Sequence, residues 1–109
     1  MTSSHKFGLC FKTIEAIKSV LFRHHGIEGV TVYGSRAKGN YREGSDIDLV
    51  LIAPTLTTND LLKIENEIED LMLPYKLDLS LFHQIENPDL IEHIKRVGKV
   101  FCTPKSSLV

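Results

Sequence analysis

The sequence predicts an α/β (α+β) fold, a small mixed β-sheet of three to four strands packed against about four helices. Two patterns predict it. Short runs rich in Val, Ile and Leu alternate with longer stretches whose apolar residues recur every three or four positions. The hydrophobic share of 42% and charged share of 25% are those of an ordinary globular chain. With 109 residues, the chain has room for one modest core, burying roughly 60–70% of the surface its unfolded form exposes. Residues 1–109 are therefore read as one domain, with polar ends at 1–6 and 103–109 expected to be flexible.

The elements follow in the order α-β-α-β-α-β-α. Cys10, Ile14, Ile17 and Leu21 fall on one helical face, and Gly26 behind His24 and His25 supplies a stop. Val30 to Tyr33 is β-branched and aromatic, hence a strand that ends at Gly34-Ser35. Arg36 to Gly44 reads as a short helix and a loop. Asp46 to Ile52 is apolar on both faces beyond its carboxylates, the pattern of a central strand covered on both sides. A turn from Pro54 to Asn59 leads into a helix with Leu61, Ile64, Ile68, Leu71 and Met72 inward, ended by Pro74. Its outer face carries Asp60, Glu65, Glu67, Glu69 and Asp70 against Lys63, to be either solvated or met by a basic partner. Lys76 to Phe82 alternates as a third strand, with Asp78 opposite Leu77, Leu79 and Leu81. Asn87 and Pro88 open a last helix with Leu90, Ile94 and Val97 inward, stopped by Gly98, and Lys99 to Cys102 forms a short final strand.

Composition excludes several classes of function. Lys and Arg number 13 against 14 Asp and Glu, too balanced for a chain held on nucleic acid by phosphate neutralisation. No apolar run reaches the ~18–20 residues of a membrane span, and the first residues lack the pattern of a signal peptide. Two cysteines cannot build a disulfide framework, so a cytoplasmic setting is expected.

Three features carry chemistry. Gly34-Ser35-Arg36-Ala37-Lys38-Gly39 stands where a strand gives way to a helix, a junction whose free N–H groups attract phosphate. Gly34 permits close approach of a ligand, and Ser35 supplies a hydroxyl and a helix cap. The junction can equally be a plain turn. It is neither a P-loop, because Asn40-Tyr41 follows where Lys and Ser/Thr are required, nor a GxGxxG fingerprint. Second, Asp46 and Asp48 share one face of a strand. Like charges ~4 Å apart cost on the order of 4 kcal/mol at an effective dielectric of 20, so a cation should offset them. Third, Asp78 on the next strand would complete a cluster whose all-oxygen character suits Mg²⁺ or Mn²⁺.

Taken together, Gly34-Ser35, Asp46-x-Asp48 and a later strand Asp closely resemble the DNA polymerase β-like nucleotidyltransferase superfamily. The form GSRAKG…SDIDL and the short length resemble its minimal nucleotidyltransferases. The resemblance rests on residues 30 to 82 and implies a nucleotidyltransferase fold, with transfer of AMP from ATP to a hydroxyl and release of pyrophosphate. It implies that Gly34, Ser35 and Arg36 bind the nucleotide and that Asp46, Asp48 and Asp78 are catalytic. These carboxylates would ligate two Mg²⁺ ions, with Mn²⁺ as an alternative. Asp78 would also help deprotonate the acceptor. Minimal members commonly pair with small helical HEPN proteins as antitoxin and toxin, which makes a tyrosine of such a partner the expected acceptor. Two alternatives stand beside this: a non-catalytic module that neutralises its partner by occlusion, and a transferase acting on a small hydroxylated molecule.

Other residues are read more plainly. His24, His25, His83 and His93 are scattered, with His83 the one that follows the Asp78 strand. Cys10 and Cys102 are read as buried thiols. Tyr33 and Tyr41 bracket the glycine-serine junction, where Tyr33 is a core residue or one of the pair stacks on adenine. Lys38 and Arg42 lie just past the glycine-serine junction, facing either phosphate or solvent.

Overall fold

A computed structural model describes residues 5–42 and 44–102. The end segments expected to be flexible thus lie outside the described residues, apart from His5 and Lys6. The chain begins with a hairpin of two short strands, β1 (His5–Lys6) and β2 (Leu9–Cys10), joined through Phe7 and Gly8 in left-handed conformations. The helix α1 (Phe11–Leu21) follows, then β3 (Gly29–Tyr33), the four-residue helix α2 (Ser35–Lys38) and β4 (Ile47–Ile52). The second half is α3 (Thr58–Glu69), β5 (Leu77–Leu81), a 3-10 turn at Phe82–Gln84, α4 (Pro88–Val97) and β6 (Lys99–Cys102).

Strands β5-β4-β3-β6 form one mixed four-stranded sheet. β4 lies parallel to β5 and antiparallel to β3, and β6 runs antiparallel along the far side of β3. Alternation along the strands divides the interior in two. Ile47, Leu49 and Leu51 face a core with Ile17 and Leu21 of α1 and Ile64 of α3, each fully buried. On the other face Val50 meets Tyr33 and Ile94 of α4, with Leu90, Val97, Phe82 and Ile85 around them. β4 is thus the covered central strand that its apolar run predicts, with helices on both sides.

Each long helix has a local cause. α3 opens on a capping box in which the Asp60 amide donates to the Thr57 hydroxyl and the Thr57 amide donates to the Asp60 carboxylate. α4 opens on Asn87, whose side chain accepts from the Asp89 amide, with Pro88 at the first helical position. α1 and α3 are tied at their surface by His24 and Glu67, 2.8 Å apart, beside Arg23.

Several expectations are corrected. His5 and Lys6 belong to a hairpin instead of a loose end. Cys10 precedes α1 as its N-cap and is exposed, so it is neither in the inward stripe nor a buried thiol; Cys102 is buried. α3 ends at Glu69, before Pro74, and its inward stripe stops at Leu71. Met72 is 85% exposed and left-handed (φ 57°), which turns its side chain out of the helical row. No helix of the described residues is long and apolar enough to cross a membrane.

Candidate active site

The site grows from the sheet register. Tyr33 pairs with Asp48 across the antiparallel ladder, and Asp48 pairs with Asp78 across the parallel one. Paired residues project to the same face, and neighbouring strands lie about 4.7–4.9 Å apart, so Tyr33, Asp48 and Asp78 stand in one row. Asp46 precedes β4 by one residue. The Ile47 amide donates to the Lys76 carbonyl at 2.9 Å, fastening the start of β4 to the approach of β5. Asp46 and Asp78 are exposed, whereas Asp48 is half-buried.

Electrostatics tie the carboxylates together. Burial first, then the charge of Asp78, then that of Asp46 push the Asp48 carboxyl above its ordinary value, while His93 draws it down. Burial likewise pushes the Tyr33 hydroxyl up, followed by Asp48 and Asp78, with the Ser80 hydroxyl opposing.

Gly34 fits here on two counts. Its φ of 77° lies in the region that L side chains rarely adopt, and a Cβ there would overlap the Asp48 carboxylate. The backbone turns at once into α2, with Gly34 as N-cap and no side-chain cap bond. Ser35 is thus the first helical residue, not the cap expected of it. The Gly34 carbonyl accepts from the Lys38 amide, and the Ser35 carbonyl accepts from Gly39 and Asn40. Lys38 at the end of α2 and Arg42 beyond it are exposed.

Arg36, expected at the nucleotide, is drawn into the interior. Its side chain is 3% exposed. Nε and Nη2 donate to the Ser45 carbonyl at 3.2 and 2.9 Å, and Nη1 donates to the Phe7 carbonyl at 2.8 Å. The Tyr41 and Tyr75 rings each lie 5.1 Å from the guanidinium carbon. Held by two backbone carbonyls and two aromatic faces, the guanidinium joins the loop before β4 to the β1–β2 hairpin.

A resident cation is implied by the donor set. Asp46, Asp48 and Asp78 offer only oxygen, and the Asp48 carboxylate lies where a side chain on Gly34 would stand. Among the described residues, no group of three or more His, Cys, Asp or Glu side chains converges closely enough to hold an ion as it stands. Mg²⁺ binds through one or two carboxylates completed by water and substrate phosphate, which a row of carboxylates accommodates. The residues present fit such an ion.

His93 is the residue that sequence reasoning missed. Its ring meets Tyr33 edge-on, with centroids 6.2 Å apart and planes at 82°. The signal was available: His93 follows Leu90 by three positions and adjoins Ile94, which places it on the inward stripe of α4. Tyr33 itself is 8% exposed and packs with Val50 and Ile94, so of its two readings the core one describes it. A groove of about 360 Å³ lies against Ile68, Tyr75 and Leu77 on the opposite face of β5 from Asp78.

Residues 15–107 match the family model described as polymerase beta, nucleotidyltransferase. The chain belongs to this nucleotidyltransferase family. Two Methanocaldococcus jannaschii proteins designated protein adenylyltransferases, MJ0126 and MJ1217, are each 31% identical over 85 residues, spanning 71% of this chain and 86% of theirs. A solved structure described as a minimal nucleotidyltransferase is 30% identical, with a TM-score of 0.62, over 81% of this chain and 88% of that one. The fold is shared with a toxin-antitoxin structure with AMP-PNP, at TM-score 0.68, 18% identity, and 83% of this chain and 73% of that one. It is also shared with the structure of a tri-AMPylated Shewanella oneidensis HEPN toxin in complex with MNT antitoxin, at TM-score 0.64 and 15% identity, over 87% of this chain and 73% of that one. As a nucleotidyltransferase, the chain is an enzyme of a family that generally uses divalent metal ions.

Proposed function

We propose that this nucleotidyltransferase is a single minimal domain that moves AMP from ATP onto a hydroxyl of a protein, a tyrosine of a HEPN-type toxin, and so acts as its antitoxin in the cytoplasm. The observation that carries the reading is the row of Asp48 and Asp78, paired across β4 and β5 beside a glycine that only an unsubstituted backbone fits. The names of the relatives support a protein acceptor and AMP. The solved neighbours, one with AMP-PNP and one with an AMPylated HEPN toxin, support the donor and the kind of partner.

In this reading Gly34 and Ser35 receive the triphosphate, since the strand ends there and α2 begins there with no side chain capping it. Asp46, Asp48 and Asp78 would hold the divalent ions, two Mg²⁺ or Mn²⁺, that the reaction requires. When bound, the ions neutralise charge on the attacking and leaving oxygens. Asp78, exposed on the outer strand, accepts the hydroxyl proton as the acceptor oxygen bonds to the α-phosphorus. The bond to the β-phosphate breaks and pyrophosphate leaves. Burial, and after it Asp78 and Asp46, raise the carboxyl of half-buried Asp48, and a cation bound there would offset the part of that rise that the two acidic neighbours cause.

The test is incubation with α-labelled ATP, Mg²⁺ and a HEPN-family protein encoded by the same genome. Label on that protein, lost with Asp46→Asn, supports transfer. Neutralisation of the toxin that survives Asp46→Asn or Asp48→Asn supports occlusion instead. Label appearing only on a small hydroxylated compound would move the acceptor to that class.

A further inference from the structure

Among the described residues, Arg36 is the one charged side chain that is fully buried, and no buried side-chain nitrogen or oxygen there lacks a partner. Placing a guanidinium in the interior is costly unless its N–H groups are satisfied. Here two of the three donating nitrogens converge on a single acceptor, the Ser45 carbonyl. That carbonyl belongs to the peptide linking Ser45 to Asp46. A peptide unit is planar, so a fork gripping its oxygen fixes the orientation in which the chain enters Asp46. The third nitrogen holds the Phe7 carbonyl, in the turn of the β1–β2 hairpin. Gly8 completes that turn, and a Cβ on it would meet Tyr41 Cε1 at 2.5 Å and Arg36 Nη1 at 2.8 Å. The hairpin lies outside residues 15–107, the segment that matches the family model.

We propose that Arg36 is a positioning residue that acts through the Ser45–Asp46 peptide, and that the N-terminal hairpin is the strap holding its guanidinium in place. The hairpin thereby becomes part of the transfer machinery while lying outside the family segment and touching neither nucleotide nor acceptor. This inference rests on the reading of Asp46 as a cation ligand.

Three variants, Arg36→Lys, Gly8→Ala and Arg36→Ala, test it without altering a carboxylate. Arg36→Lys keeps the charge but loses the fork. Gly8→Ala pushes on Nη1 and the Tyr41 ring from the hairpin side. Free Mn²⁺ is titrated in the presence of AMP-PNP, and the Asp46 amide is followed by ¹H–¹⁵N NMR. Each variant is expected to weaken Mn²⁺ binding about tenfold, the loss typical of removing support behind a metal ligand. AMP-PNP affinity at saturating Mn²⁺ should hold. The Asp46 cross-peak should move and that of Asp78 stay. Guanidinium ion added to Arg36→Ala should restore both readings. An unmoved Asp46 cross-peak in Gly8→Ala overturns the strap. Arg36→Lys that weakens AMP-PNP binding at saturating Mn²⁺ returns Arg36 to the phosphates and overturns the positioning role. Asp46→Asn is titrated separately: if it binds Mn²⁺ like the parent, the ligand reading fails by itself, while the NMR result still decides whether Arg36 and the hairpin set this peptide.

Discussion

At the scale of single residues, Asp48 bears the conflict between stability and chemistry. Its carboxyl titrates above the ordinary value of 3.8 because of burial and two acidic neighbours. A carboxyl raised in the folded state favours the fold when protonated. That contribution is complete below the unfolded value and is lost as pH rises through the folded one. Ionised Asp48 therefore weakens the cation-free protein at neutral pH. Asp48→Asn should raise the melting temperature in chelator by a few degrees at pH 7, and the difference should close below about pH 4, where the unfolded carboxyl is protonated. The same variant should lose transfer by more than about a hundredfold, beyond what removing an outer partner of a ligand costs. Gly34 and Gly39 form a second comparison. Both are left-handed, at φ 77° and 88°, but a Cβ at Gly39 meets nothing within 4 Å. Gly39→Ala should therefore pay only the backbone term, about 1–2 kcal/mol, and keep transferring. Gly34→Ala should melt lower still and lose activity, because its methyl competes with the Asp48 carboxylate; thermal melts and label transfer check both.

Among the elements, α3 shows what sequence patterning conveys and what it leaves out. Its start lies two residues before the turn expected through Asn59 ends: Thr57 and Asp60, three apart before an apolar row, form the capping box and the helix opens at Thr58. Thr57→Ala should cost about 1 kcal/mol, seen as a lower melting temperature with unchanged transfer. Its end is less legible. Met72 continues the apolar spacing, yet the helix has already closed at Glu69, and Met72 sits left-handed and exposed. A left-handed L residue costs roughly 1–2 kcal/mol, part of which a glycine returns as unfolded-chain entropy. Met72→Gly should therefore stabilise by about 0.5–1 kcal/mol, and a denaturant melt measures it. The strands that carry Asp48 and Asp78 were legible for a simple reason: a carboxylate inside an alternating or wholly apolar run stands out. The β1–β2 hairpin was not, because strands of two residues have no period to read. What holds it includes an arginine 29 positions away in sequence. The same distance hid the role of Arg36, whose motif position suggests phosphate while Tyr75, Tyr41 and Phe7 enclose it. His93 was legible only by counting the face of α4 against Leu90 and Ile94.

At the scale of the whole molecule, the sheet gathers from β4 and β5 charges that would repel in the absence of a counter-ion. Divalent cations that bind the folded form alone should raise its melting temperature with concentration, by an amount equivalent to about 2.7 kcal/mol at a hundred times the dissociation constant. A Mg²⁺ or Mn²⁺ series with and without ATP, read by thermal melt, checks this. The shift should shrink in Asp46→Asn and Asp48→Asn, and chelator should abolish transfer while leaving the fold intact. The order β5-β4-β3-β6 has a further consequence. Asp78 rides on an outermost strand, so the incoming hydroxyl arrives at a rim and not in a pit. No wall described beyond β5 gauges the size of what is delivered there. In the proposed transfer to a protein, selectivity would then come from the surface that docks alongside and presents its hydroxyl at that margin.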